Sequence, residues 1–204
     1  MFINPILAAL TGLLSLSSAA LIGPHDTPAP WEVSSLSTFS PSGRPGSSPY
    51  STVNITITDP NTIVAGRSPT GMAGFPPSTA ICNASFVGSD PPYNKVLNCS
   101  ETKYGQWTFE MLKTNNTGYP SATTNFDIRF TRVNNVTVIW EEFSKVYVGQ
   151  AHFEVGDNMQ GVCGASGVCS WGLKGELRPW LINQTLVFCN GVCPSGRGSK
   201  GLQS

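Results

Sequence analysis

The chain predicts an all-β fold: a single antiparallel β-barrel, or a β-sandwich, of seven to nine strands stapled by local disulfides. Three observations predict it. Apolar residues recur at every second position in several segments separated by Gly/Pro/Asn/Ser clusters. Beyond the first twenty residues, no window of twelve or more carries the 3.6-residue apolar period of a helix. Six cysteines fall as sequence-near pairs: Cys82 and Cys99, Cys163 and Cys169, Cys189 and Cys193.

Residues 1–20, "MFINPILAALTGLLSLSSAA", read as a secretory signal peptide. Pro5 to Leu16 is an apolar run too short to span a bilayer, and Ser18-Ala19-Ala20 places small residues at −3 and −1. No later apolar run suits a membrane helix, and with the polar end "CPSGRGSKGLQS" no hydrophobic lipid-anchor signal is expected. The mature chain is expected to be secreted and extracellular, as one domain over 31–193 with a flexible tail over 194–204. The Pro-rich lead-in 21–30, "LIGPHDTPAP", is expected to be disordered.

Strand signals then follow in order. "WEVSSLSTF" (31–39) opens, and "YSTVNITITD" (50–59) alternates Val53, Ile55 and Ile57 with Asn54, Thr56 and Thr58. Residues 60–79 hold four prolines and three glycines and read as a long irregular loop. "AICNASFVG" (80–88), "GQWTFEMLKT" (105–114), "TNFDIRFTRV" (124–133), "VTVIWEEFSKVYVGQAHFEV" (136–155) and "LINQTLVFC" (181–189) complete the set. Trp107, Phe109 and Met111 share one face, as do Phe126, Ile128 and Phe130, and Val136, Val138 and Trp140.

Twelve basic and twelve acidic residues cancel, and no run of either sign occurs. That balance argues against nucleic acid and anionic membranes as partners. Charged residues make up only 12% of the chain, about half the usual share, so something else must keep the surface soluble. N-linked glycans are the expected answer: Asn-x-Ser/Thr sequons start at Asn54, Asn83, Asn98, Asn115, Asn135 and Asn183.

An even cysteine count behind a signal peptide reads as disulfides, although six cysteines allow fifteen connectivities. Zinc would want short Cys-x2-4-Cys pairs or nearby histidines. Only "CNGVC" has that spacing, and His25 and His152 lie in the lead-in and within a strand, so no metal is expected. "GVCGASGVC" fails as a nucleophile elbow around Ser166, because position 168 is valine where the turn needs glycine. The stretch reads as a stapled loop. Glu141 and Glu142 are adjacent on a strand, point to opposite faces and cannot flank one scissile bond. No catalytic set or cofactor site emerges, and a binding role is expected. Trp107 and Trp140 read as core, whereas Trp171 and Trp180 flank the polar "GLKGELRP" loop and are the candidate ligand-facing aromatics.

Taken together, the order of elements resembles the Alternaria major-allergen family of small secreted fungal proteins, known as allergens and effector-like proteins. The elements that carry it are Trp31 and Val33, the Tyr50–Ile57 strand leading to "DPN", Cys82 and Cys99 around a polar loop, "WTFEM", "FDIRF", Cys163 and Cys169, and "TLVFC". The resemblance implies a compact antiparallel β-barrel that can dimerise and has no established catalytic residues. It also implies the bridges Cys82–Cys99 and Cys163–Cys169, and partners among host extracellular defence proteins or small phenolic ligands. The chain departs from the family in Cys189 and Cys193, in a shorter second cysteine loop, in the 60–79 insertion and in its many sequons. The expected function is therefore non-enzymatic binding at a host–fungus interface, with binding to cell-wall polysaccharide as the alternative.

Overall fold

The computed structural model describes residues 21–23, 26–69, 71–114 and 118–194. The expected signal peptide, His25, the Asn115 sequon and tail residues 195–204 lie outside the described residues. The fold is all-β. Its strands form three open sheets rather than one closed barrel.

The first sheet runs β11 (Met159–Cys163), β12 (Cys169–Leu173), β2 (Trp31–Ser40), β3 (Tyr50–Asp59) and β6 (Ser78–Val87), with β13 (Trp180–Ile182) also on β2. The second runs β14 (Gln184–Asn190), β10 (Glu141–Glu154), β9 (Asn125–Val138), β8 (Gln106–Leu112) and β7 (Val96–Asn98). The third is small: β1 (Leu21–Ile22), β4 (Thr62–Ser68) and β5 (Gly71–Phe75). Strand pairing is antiparallel except between β1 and β4.

Alternation decides which side chains enter the core. On β3 Val53, Ile55 and Ile57 are buried while Asn54 is exposed. A register shift between Val33 and Ser35 resets the phase of β2, so Trp31 and Val33 point inward and then Leu36 and Thr38 do. The second sheet contributes Trp107, Phe109, Met111, Phe126, Ile128, Phe130 and Phe153 to the same cluster. Trp31 and Trp107 meet edge to face at 4.6 Å, joining the two large sheets. Each such side chain, fully buried, contributes roughly 1.5–3 kcal/mol.

Four expectations differ from the structure. The described residues hold fourteen strands rather than seven to nine. The 60–79 segment is no irregular loop but mostly the β4–β5 hairpin; Pro60, Pro69, Pro76 and Pro77 all fall just outside the two strands, where a missing N–H breaks no ladder bond. The 136–155 run is no single strand, because it turns at Ile139–Trp140 and pairs back on β9. The 21–30 lead-in, expected to be disordered, is also held in part: β1 pairs with Thr62 and Ile63, and Ala29 is clasped by Asn61.

That clasp belongs to a buried polar cluster. Asp59, fully buried, accepts hydrogen bonds from the Asn61 backbone N–H at 2.9 Å and from Asn61 Nδ2 at 2.6 Å. It also accepts a short, charge-assisted bond from Arg132 Nη1 on the second sheet. Arg132 Nη2 donates to the Pro76 carbonyl at 3.0 Å, and the guanidinium lies 5.6 Å from the Trp107 ring centroid. Burial lowers the Arg132 pKa and the Asp59 charge opposes that shift.

The cysteines close three bridges, Cys82–Cys99, Cys163–Cys169 and Cys189–Cys193, and none of the six is free. The first two match the resemblance; the third is this chain's own pair. Such bridges mark an oxidising compartment. No helix among the described residues is long and apolar enough to cross a membrane.

Asp59→Asn leaves the Arg132 charge buried without its partner. It is expected to cost about 3–5 kcal/mol of unfolding free energy in urea titrations. The Asp59→Leu/Arg132→Met double variant should lose less than the sum of its single substitutions, because no charge is then stranded.

Candidate functional site

The most exposed tryptophan, Trp140, sits at the turn of the β9–β10 hairpin. The hairpin's register is unbroken from Glu154↔Asn125 to Glu141↔Val138, so a two-residue loop, Ile139–Trp140, joins the strands. Flanking strands support only its lower part: β8 pairs with β9 up to Val133, and β14 pairs with β10 from Ser144 to Gly149. Residues 135–142 therefore continue as a two-stranded arm, with Val136 and Val138 packed against the core on one face and the tip exposed. Phe143 anchors its base against glycines on either side. A Cβ on Gly66 would sit 2.0 Å from the Phe143 ring, and one on Gly191 would sit 3.0 Å from it. Only glycine fits both positions, which ties the arm to β4 and to the loop after β14.

The loop itself breaks the usual turn chemistry. Both residues are left-handed, with φ of 45° at Ile139 and 70° at Trp140. Tight hairpins of this kind favour Asn-Gly, because a non-glycine residue in that region costs roughly 1–2 kcal/mol, and a β-branched one is a true outlier. Here the positions hold two large apolar side chains, Ile139 at 57% and Trp140 at 95% exposure. Trp140 was expected in the core. It is at the tip because the strand it was assigned to ends there. Glu141 and Glu142 follow immediately and are exposed, as is Asn135 on the arm's other strand.

The candidate aromatics Trp171 and Trp180 are both half-buried and sit at different heights along the same edge of β2: Trp171 opposes Thr38 and Trp180 opposes Val33. Trp171 packs over Gly161, where a Cβ would come within 2.8 Å of its ring. Trp180 lines an open cleft of about 310 Å³ together with Gln150, His152, Asp157, Asn158 and Asn183. The two tryptophans do not form one platform. A second cleft of about 560 Å³ is lined by Phe86, Tyr93 and the prolines 41, 49, 91 and 120. Among the sequon asparagines, Asn54, Asn83, Asn98, Asn135 and Asn183 are exposed, and Asn54 and Asn83 are direct cross-strand partners.

His152, at the Trp180 cleft, is bracketed by carboxylates. Nδ1 lies 2.7 Å from Asp127 Oδ1 on β9, and Nε2 lies 3.3 Å from Glu154 Oε2. Only an imidazolium donates to both. Partial burial opposes the charge, but the hydrogen bonds and charges of Asp127 and Glu154 outweigh it, so the pKa is raised. The outer-face pair Arg129–Glu110, at 3.1 Å across β8 and β9, is an ordinary exposed ion pair.

The arm was missed because "VTVIWEEFSKV" keeps a strand-like composition through the turn, with no Gly, Asn or Asp to mark it. Two signals for it were present. Twenty residues is far beyond an ordinary strand of 3–10. The buried positions also change parity, from even (Phe126, Ile128, Phe130) to odd (Phe143, Tyr147, Phe153), as a two-residue hairpin requires.

No protein-family model, curated protein or solved structure matches the chain.

A raised histidine pKa contributes stability that is complete below the unfolded value of about 6.5 and is lost as pH rises through the folded value. The destabilisation caused by Asp127→Asn is therefore expected to be larger at about pH 5.5 than at about pH 8.5. Paired urea titrations at the two pH values would measure it; equal costs would show that the pair does not couple to protonation.

Proposed function

We propose that the protein is a secreted, glycosylated fungal binding protein, allergen- or effector-like and non-enzymatic, that engages a host extracellular protein through its hairpin tip. One observation carries this reading: Trp140 is 95% exposed on a backbone that disfavours it. A residue kept where it destabilises the fold and buries nothing has its use outside the fold. Tryptophan on a rigid support is also the commonest kind of energetic anchor at protein interfaces.

The partner's chemistry follows from the neighbours. Glu141 and Glu142 beside Trp140 disfavour anionic membranes and call for an apolar pocket with a basic rim. The signal-peptide pattern and three disulfides support secretion, and exposure of the five described sequon asparagines suits glycans. The order of cysteines and strands supports kinship with the Alternaria allergen family, here as β-sheets packed in a sandwich-like body rather than as a closed barrel.

A second reading, binding of wall polysaccharide, is favoured by the Trp180 cleft, where an indole edge meets amide and imidazole groups suited to sugar hydroxyls. The same cleft carries the Asn183 sequon, so a glycan there would occupy part of it.

The Ile139→Asn/Trp140→Gly variant separates function from folding. It restores the favoured turn and is expected to gain about 1–2 kcal/mol of stability. It should also lose partners that the wild-type protein retains from plant apoplastic fluid. Unchanged capture would remove the tip from the interface. Trp180→Ala tests the second reading: loss of retention on insoluble polysaccharide by a folded variant would support the cleft instead.

A further inference from the structure

We propose that Lys145 is a carbonyl-reactive amine, and that the small cavity it lines takes a short-chain aldehyde or ketone and holds it as an imine. The cavity lies between β10, β14 and the lead-in, has a volume of about 80 Å³, and is lined by Ile63, Lys145, Tyr147, Gln184 and Leu186, with Asp26 at its exposed side. At about 30 Å³ per water that is room for a few heavy atoms, the size of acetaldehyde or acetone. The proposal is independent of the hairpin tip.

Lys145 points into the protein with its alternate neighbours Phe143 and Tyr147, and only 2% of it is exposed. Among the described residues no carboxylate oxygen lies within 4.0 Å of its amine. Asp26, which lines the cavity, accepts from the Gly23 N–H at 2.9 Å, and Asp59 is already engaged by Arg132. Burial without a counter-charge pushes the Lys145 pKa down to about 8. Two buried groups nearby lack partners: Gln184 Oε1, on a residue that lines the cavity, and both amide atoms of Asn134, the cross-strand neighbour of Lys145. Buried polar atoms left unpaired mark a place where something else completes the hydrogen bonding.

The chemistry balances without an oxidant or reductant. The neutral amine's lone pair attacks the carbonyl carbon, forming C–N while the π pair moves to oxygen. Oxygen gains a proton and nitrogen loses one, giving a carbinolamine. Expulsion of that hydroxyl as water, with loss of the second N–H proton, leaves C=N. Tyr147, whose hydroxyl is held protonated by burial and by Asp59 with a pKa of about 12, is the available donor to the carbonyl oxygen. Gln184 Oε1 is the available acceptor for the carbinolamine hydroxyl.

The test is reductive trapping. The oxidised protein is incubated with acetaldehyde and cyanoborohydride at about pH 7.5, and ethylated lysines are mapped by mass spectrometry. At that pH about a quarter of an amine with a pKa of about 8 is neutral, against about a thousandth of an ordinary lysine. Ethylation at Lys145 is expected to exceed that at exposed Lys95 and Lys103 by at least about tenfold, even after some loss to burial. The preference should disappear in urea-unfolded protein, and its pH profile should rise near 8. Labelling of Lys145 no faster than Lys95, or a preference that survives unfolding, would overturn the proposal. Because the unfolded control uses the same chain, the result does not depend on whether Lys145→Met folds.

Discussion

The contact on which the rest of the molecule depends is the buried pair Asp59–Arg132. Asp59 ends β3 in the first sheet and Arg132 sits on β9 in the second. Four separate pieces of chain meet there. Asn61 braces the carboxylate and clasps Ala29, and Gln184 Nε2 also donates to the Ala29 carbonyl at 2.8 Å. Pro76 takes the second guanidinium nitrogen, and Trp107 stacks beside it. Burying two charges is expensive, and an apolar pair of equal volume would be at least as stable. What the pair adds is registry: hydrophobic faces can slide, whereas a guanidinium with a fixed fork of donors accepts one arrangement of lead-in, hairpin and sheets.

The same polar stripe continues outward along the hairpin. Even positions of β9 point inward, from Phe126 through Phe130 to Arg132 and Asn134, and their partners on β10 are Phe153, Gly149, Tyr147 and Lys145. The interior thus grades from aromatic to ionic toward the arm, and the small β1–β4–β5 sheet lies at the ionic end, where Phe143 meets Gly66. The arm is anchored by packing at Phe143 and by charge at Arg132, so its tip can carry an unfavourable turn. A strained loop on a loosely held hairpin would relax; on a clamped one it persists.

Much of this was legible in the sequence, and the failures have distinct physical causes. β2, β3, β6 and β8 were readable because one face is buried and the other wet, so the period of two survives in the residues. The inward position of Arg132 was readable by the same rule, since it continues the phase of Phe126, Ile128 and Phe130, but a cation at a core position is naturally assigned to the surface. Asp59 follows Ile57 in phase and was hidden the same way. The β4–β5 hairpin was obscured by proline and glycine, whose positions at strand ends, not their number, carry the information. Trp140 failed differently: apolar alternation cannot distinguish a buried position from a turn occupied by the wrong residues, and no local rule predicts a tryptophan at φ 70°. Violations of local rules are where function is to be sought.

The arrangement also constrains how a partner could approach. In a chain with only 12% charged residues, two adjacent acids beside the most exposed tryptophan form an unusual local concentration. The sequon asparagines Asn54 and Asn83 lie side by side on the outer face of the first sheet, so a glycan on either would screen that face broadly. Asn135, at the arm's base, pairs with Ser144, while the tip lies beyond both. A glycan at Asn135 would shield the side of the arm and leave Ile139–Trp140 as the apolar surface reachable at its end. On the proposed reading, screening and projection serve one purpose: they confine recognition to a tip that is small, rigid and chemically distinctive, and such a contact gains specificity from fit more than from area.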